Sequence, residues 1–156
     1  VGNVYLNSNW LTKNDNNSYV SIPSQSQPTG ISFSSGVEWD VSGGNGIPTI
    51  NKTVTLGFPT VNAITSATTI DKTHSYTLTT SGVTGADSTL FIVGGVTKTI
   101  EGNATTCTFT SAELNGASSG TSYVQIAAYT MMNENVGGKN IYYGNETVQT
   151  LTVEIE

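Results

Sequence analysis

Aromatic side chains surrounded by amides and hydroxyls are the residues of this chain whose types best suit ligand recognition. Trp10 ends the segment Asn7-Ser8-Asn9-Trp10, and Asn14 follows a few residues later. An aromatic ring can cover the apolar face of a sugar while flanking amides hydrogen-bond its hydroxyl groups. Trp10 is therefore a candidate platform for a carbohydrate. The alternative is ordinary packing in a half-exposed N-terminal strand.

The second tryptophan stands between two acids, in Glu38-Trp39-Asp40. On a β-strand, Glu38 and Asp40 would share one face and Trp39 would take the other. Val37 and Val41 fall on the same face as Trp39, which favours a tryptophan packed in a core and acids that face water. If that face were exposed instead, Trp39 could stack on a sugar ring.

Two neighbouring tyrosines form the third candidate site. Tyr142 and Tyr143 lie between Gly137-Gly138 and Gly144, which predicts a position near a hairpin turn. On a strand, one of the two rings must point inward and the other outward. An exposed tyrosine beside a loop suits a binding role, since rigid aromatic rings dominate contact energies. Structural packing is the alternative.

Residue types that carry catalytic chemistry are scarce. The chain has one histidine, His74, and one cysteine, Cys107. A histidine and cysteine zinc site needs about three or four such ligands. Cys107 alternates with Phe109, as an inert inward thiol would. We therefore expect a protein that is not an enzyme and that has no catalytic residues, no metal site and no cofactor.

The charge balance excludes several classes of partner. Charged residues make up 10% of the chain, and five lysines and no arginine stand against eleven acids, for a net charge of −6 at pH 7. Nucleic-acid binding requires a basic surface that displaces counterions from phosphates. Five scattered lysines cannot form one. Nucleic acids are therefore excluded as partners, and anionic membrane surfaces are disfavoured for the same reason.

Cysteine usage and hydropathy bear on location. One cysteine permits no disulfide within the chain, so the protein is not a disulfide-stapled secreted module. No run of about 18 apolar residues is present, so we expect no transmembrane segment. The sequence starts without Met and looks trimmed of a leader or a lipidated cysteine. A bacterial protein at the cell surface, lipid-anchored to the outer membrane, secreted or periplasmic, fits these features.

Apolar residues recur at every second position almost throughout, which predicts strands rather than helices. Gly- and Asn-rich turn signals separate the runs at intervals of about 8–12 residues, as in an all-β sandwich or barrel. Ser111-Ala112-Glu113-Leu114 is the only possible helical turn. A seam near Gly57-Phe58-Pro59, with about seven strand candidates after it and four or five short runs before it, predicts an N-terminal β region over 1–57 packed on a main domain over 58–156.

The segment Ser119-Gly120-Thr121-Ser122-Tyr123, with Leu114 upstream and alternating apolar residues downstream, resembles the E–F corner of fibronectin type III and related immunoglobulin-like modules. The resemblance covers about residues 59–156. It implies an immunoglobulin-like β-sandwich in which Tyr123 is the structural corner residue and Leu114 its packing partner. The Thr- and Asn-rich composition also resembles that of immunoglobulin-like surface lipoproteins of bacteria.

These features lead to two functional hypotheses. The first is a non-catalytic cell-surface or secreted module for adhesion, spacing or assembly. The alternative is a carbohydrate-binding module that uses exposed aromatic residues. The partner would then be a glycan or another surface protein. Strand edges rich in Thr can pair with a second chain, so we expect a monomer or a weak dimer.

Overall fold

The computed structural model describes residues 2–33 and 36–156, and the chain is all-β, as the alternating pattern predicts. Its described residues form fifteen strands and one short helix, α1 (Ser111–Leu114). In chain order the strands are β1 (Val4–Leu6), β2 (Asn9–Trp10), β3 (Thr12–Lys13), β4 (Tyr19–Val20), β5 (Val37–Val41), β6 (Ile50–Val54), β7 (Thr60–Val61), β8 (Thr69–Ile70), β9 (Tyr76–Thr79), β10 (Val83–Thr84), β11 (Ser88–Val93), β12 (Val96–Glu101), β13 (Thr106–Phe109), β14 (Gly120–Val136) and β15 (Lys139–Ile155). No helix among these residues is long and apolar enough to cross a membrane.

Contacts divide the chain into two compact units. The N-terminal unit comprises Val1–Leu56 with Met132–Tyr143, and the C-terminal unit comprises Gly57–Met131 with Gly144–Glu156. The sequence pattern predicts a boundary between residues 57 and 58, with residues 132–143 in the larger domain. In the structure, that segment makes its contacts within the N-terminal unit. It is formed by the end of β14, a Gly137-Gly138 turn and the start of β15.

The N-terminal unit is built on a four-stranded antiparallel sheet with the order β2-β1-β5-β6, which we call the N-terminal sheet. A two-residue turn, Asn7-Ser8, joins β1 to β2. Both of its residues have positive φ angles, 46° for Asn7 and 62° for Ser8. This is the turn geometry whose twist matches that of a hairpin, and Asn is among the residues that tolerate it best. The tight turn places Tyr5 directly opposite Trp10.

One face of the N-terminal sheet is apolar and carries the core of this unit. Two small clusters of buried residues cover it, Val4, Leu11, Val41 and Ile50 in one and Val37, Val54 and Tyr143 in the other. Trp39 packs against both clusters. We call this side of the sheet the inner face. Alternation along each strand therefore turns every intervening side chain to the opposite side, the outer face.

The C-terminal unit contains a five-stranded sheet with the order β12-β11-β14-β15-β8 and two smaller pairs, β13-β9 and β10-β7. Its apolar core is larger, and the fully buried side chains in it include Phe91, Phe109, Leu78, Leu114 and Ile126. Helix α1 begins with a capping box in which Thr110 and Glu113 exchange hydrogen bonds, and it ends by burying Leu114. A helix of one turn is stable here because that leucine is anchored in the core.

Candidate functional site

The outer face of the N-terminal sheet brings four side chains into one row. In the strand register, Trp10 pairs with Tyr5, Tyr5 pairs with Asp40, and Asp40 pairs with Asn51. Directly opposed residues in an antiparallel sheet project to the same side. The row therefore crosses all four strands, about 14 Å at the usual strand spacing. We call Trp10, Tyr5, Asp40 and Asn51 the outer row.

Trp10 is the most exposed member of this row that carries a large apolar surface. Its side chain is 60% exposed, whereas Tyr5 beside it is half-buried. A solvent-exposed tryptophan on the face of a sheet lacks the burial that usually stabilises its ring. The neighbouring Asp40 and Asn51 are exposed as well. The row thus joins an aromatic surface to polar groups that can form hydrogen bonds with a ligand.

An open depression of about 250 Å³ lies beside the row, lined by Tyr5, Ser8, Glu38 and Asp40. Glu38 and Asp40 are two residues apart on β5 and share the outer face. Within residues 2–33 and 36–156, neither carboxylate has a hydrogen-bond donor or an ion-pair partner. Their oxygens are therefore free to accept hydrogen bonds from hydroxyl or amino groups of a bound molecule.

Asn7 determines the local geometry of this depression. Its side-chain amide donates to the Ser32 carbonyl at 2.6 Å and to the Gly36 carbonyl at 3.3 Å. Its side-chain oxygen accepts from the Glu38 backbone N–H at 2.7 Å. One residue thereby joins the β1–β2 turn to the start of β5. The turn contains Ser8 and leads into Trp10 on β2, and β5 contains Glu38, so these hydrogen bonds hold both parts of the site together.

Trp39 lies on the inner face, partly buried, and it lines two spaces on that side of the sheet. One is an open groove of about 340 Å³, which it shares with residues that include Leu11, Tyr19, Ile31 and Phe33. The other is a smaller space of about 160 Å³, which it shares with Tyr142, Tyr143 and three aliphatic residues. The structure thus brings three predicted site residues together, Trp39, Tyr142 and Tyr143, and places Trp10 on the opposite face.

The two neighbouring tyrosines have different environments. Tyr142 is 64% exposed, whereas Tyr143 is 6% exposed. The Tyr143 hydroxyl donates to Glu134 at 2.8 Å, and Lys52 donates to the other oxygen of the same carboxylate at 2.7 Å. Burial and the bond to Glu134 raise the pKa of Tyr143 to about 12. The Tyr143 phenol is thus a neutral donor at neutral pH and part of a structural network.

His74 belongs to a local turn of the C-terminal unit. Its Nδ1 lies 2.8 Å from Asp71, and the Thr73 hydroxyl donates to the same carboxylate at 2.6 Å. The side-chain and backbone hydrogen bonds from Thr73, followed by the one from His74, lower the pKa of Asp71 to about 2. All three residues are exposed, and the Thr73 hydroxyl lies within hydrogen-bond distance of both the Asp71 carboxylate, at 2.6 Å, and His74 Nδ1, at 3.0 Å.

Cys107 faces the core of the C-terminal unit. Its side chain is buried on β13, and burial raises the pKa of its thiol. A thiol of this kind is protonated at neutral pH and a poor nucleophile. Across the described parts of the chain, no three His, Cys, Asp or Glu side chains come close enough together to hold a metal ion.

The residues of the predicted structural corner differ in burial. Leu114 is fully buried at the end of α1, whereas the Tyr123 ring on β14 is 50% exposed. The corner role that the resemblance implies for these two residues stays a prediction.

Two members of the outer row, Tyr5 and Asn51, were not expected from the sequence. Only the strand pairing brings them next to Trp10 and Asp40. A two-residue Asn-Ser turn between Tyr5-Leu6 and Asn9-Trp10 was the available signal, because such a turn sets the register of a hairpin.

Comparison of this chain with protein-family models, with curated proteins and with solved structures found no match.

Proposed function

We propose that this chain is a non-catalytic bacterial surface module that binds carbohydrate on the outer face of its N-terminal sheet. The observation that carries this proposal is the outer row, in which an exposed tryptophan continues into Tyr5, Asp40 and Asn51 across four paired strands. The site is an open platform about 14 Å long, and an extended glycan chain fits it better than a small enclosed ligand does.

The chemistry of the platform matches the two kinds of surface that a sugar presents. The Trp10 ring offers an apolar plane for the C–H face of a sugar ring. Asn51 can both donate and accept hydrogen bonds, and the carboxylates of Glu38 and Asp40 can accept them from hydroxyl groups. Hydrogen bonds to a charged acceptor are stronger than neutral ones, so the carboxylates can fix the orientation of the sugar.

The proposal includes an immunoglobulin-like sandwich for the C-terminal unit, and the strand order supports it. In that assignment the pair β9–β13 would be strands B and E, and the run β11-β14-β15 would be strands C, F and G. The short strand β8 pairs in parallel with the end of β15, as an A′ strand pairs with G. Location at the cell surface or outside the cell belongs to the same proposal and rests on composition.

The test of carbohydrate binding is a glycan array probed with the whole chain and with Trp10→Ala. We expect binding of the variant to fall by about tenfold or more, because stacking on the ring is lost. Tyr123→Ala serves as the matched control, since it removes a similarly exposed ring from the C-terminal unit. A wild-type chain without array hits, or hits that Trp10→Ala leaves unchanged, would contradict the proposal.

Tyr142→Ala tests whether the glycan binds on the other face. Tyr142 is about as exposed as Trp10 but lines the small space that Trp39 also lines. If binding falls with Tyr142→Ala and not with Trp10→Ala, the outer face is the wrong site.

Adhesion or assembly is the second candidate function, and the edge strand β12 favours it. This six-residue strand lies at one end of the five-stranded sheet, where its neighbour in the order is β11. A free edge can accept a strand from another chain. Ile100 on β12 is partly exposed, and Ile100→Lys would add a charge to the edge. We expect this change to abolish any weak dimer seen by sedimentation, and a dimer unaffected by it would exclude β12 as the contact.

A further inference from the structure

The outer face carries two carboxylates, Glu38 and Asp40, that form no ion pair with any described residue. Glu38 and Asp40 lie on β5, an inner strand of the N-terminal sheet, and both contribute to the net charge of −6. The lysine nearest in the strand register, Lys52, is paired with Trp39 on the inner face. There it forms an ion pair of 2.7 Å with Glu134. The positive charge on β6 is thus on the other side of the sheet and already neutralised.

The two carboxylates lie within the platform itself. Asp40 is a member of the outer row, and Glu38 and Asp40 together line the depression beside Tyr5 and Ser8. A molecule that stacks on Trp10 and extends along the row must cross Asp40. Any negative group on that molecule would then approach like charges, and none of the residues of the outer row or of the depression is cationic.

We infer that the outer row selects glycans without carboxylate or sulfate groups and rejects acidic ones. This inference rests on the proposed function and adds the class of ligand to it. Neutral sugars offer hydroxyl donors to the two carboxylates, and amino sugars offer charged donors, which form stronger bonds. An acidic sugar presents hydrogen-bond acceptors where a neutral sugar presents donors, and its negative charge is repelled by the two carboxylates. Placing like charges opposite one another is a general means of excluding the wrong partner.

The experiment is a glycan array that carries neutral glucans, mannans and xylans, chitosan oligomers, polyuronates and sulfated glycosaminoglycans. For each neutral polymer that has a C6 hydroxyl, the array also carries the C6-oxidised form, which adds a carboxylate to the same backbone. We expect hits among neutral or amino glycans, and binding to the oxidised partner that is at least about tenfold weaker. Between 50 and 500 mM NaCl this difference should shrink, because salt screens the repulsion.

A charge-neutral variant assigns the selectivity to named residues. Glu38→Gln combined with Asp40→Asn keeps the shape of both side chains and removes both charges. We expect it to bind the oxidised glycans at least about tenfold better than the wild-type chain does, with a smaller change for neutral ones. The matched control is Glu101→Gln combined with Glu156→Gln, which changes the net charge equally through exposed residues of the C-terminal unit.

The outcomes separate the two proposals. Acidic glycans bound as tightly as neutral ones, with binding that still depends on Trp10, would overturn the selectivity and leave the carbohydrate function in place. Selectivity that persists in the charge-neutral variant, or that the control variant also relieves, would overturn it as well. An array without hits, or hits independent of Trp10, would overturn the carbohydrate function and the selectivity with it.

Discussion

The two faces of the N-terminal sheet carry similar residue types, a tryptophan and charged side chains, in different environments. On the inner face, Trp39 packs against buried aliphatic clusters, and the charged Lys52 is neutralised by Glu134. On the outer face, Trp10 lies in water and the carboxylates of Glu38 and Asp40 have no partner in the described chain. The same residue types therefore stabilise the fold where their polar groups are satisfied, and leave hydrogen-bonding groups available to a ligand where they are not.

The largest expected difference between the two faces is in stability. Trp39→Ala should lower the free energy of unfolding by about 3 kcal/mol, because it removes a large ring packed on two buried clusters. Trp10→Ala should lower it by less than about 0.5 kcal/mol, as is usual for exposed positions. Urea denaturation followed by circular dichroism measures both. Equal losses of stability would contradict the placement of Trp39 in the core and of Trp10 in solvent.

Asn7→Ala should have the next largest effect. It removes the hydrogen bonds that join the β1–β2 turn to β5, and it places Ala at a φ of 46°. We expect a loss of about 2 kcal/mol in stability, together with weaker glycan binding, since the turn positions Trp10. Asn17→Ala is the matched control, because Asn17 also has a positive φ but lies in another turn. If Asn17→Ala weakens glycan binding as much as Asn7→Ala does, the claim that Asn7 positions Trp10 is wrong.

A smaller effect is expected from acid on the inner face. The hydrogen bonds from Lys52 and then from Tyr143 lower the pKa of Glu134. A carboxyl group with a lowered pKa stabilises the fold above its ordinary value near 4.5, and this contribution is lost as the pH falls below that value. Glu134→Gln should therefore reduce the loss of stability in acid, measured by denaturation between pH 7 and pH 3.

Lys52→Met serves as the partner variant for that experiment. It removes the strongest cause of the lowered pKa of Glu134, so it should reduce the acid sensitivity in the same direction. The double variant should add little to either single change, since both act through one interaction. Additive effects would mean that the acid response arises elsewhere in the chain.

The smallest expected effect is from Ser8→Gly. Ser8 has a φ of 62°, a conformation that costs little for glycine and more for other residues. The change should stabilise the β1–β2 hairpin by less than about 1 kcal/mol and keep Trp10 opposite Tyr5. A stabilised protein with unchanged glycan affinity would show that the turn acts through the backbone and not through the Ser8 hydroxyl.

Alternation of apolar and polar residues in the sequence predicts the strands of this structure and the direction of their side chains. Val37, Trp39 and Val41 mark one face of β5, and Glu38 and Asp40 mark the other, so the class of fold and the direction of these side chains follow from strand geometry. The pairing partner of each strand does not follow from alternation, since any strand with one apolar face satisfies the same pattern.

Alternation does not predict the position of several residues of the site or of one segment. Tyr5 and Asn51 join the outer row only through strand register. Residues 132–143 belong to the N-terminal unit because Met132, Ile141 and Tyr143 pack in or against the clusters on its inner face. Alternation along β14 and β15 does not show in which unit these side chains pack. The prediction of an all-β chain needs only local pattern, whereas the candidate site needs long-range pairing.

The most direct test of the central claim is a fluorescence titration of two single-tryptophan variants, Trp39→Phe and Trp10→Phe, with a neutral oligosaccharide identified on the array. In Trp39→Phe the remaining Trp10 should be readily quenched by acrylamide, and its emission should change saturably as the glycan binds. In Trp10→Phe the emission of Trp39 should stay constant. A saturable change at Trp39, or none at Trp10, would contradict a binding site on the outer face.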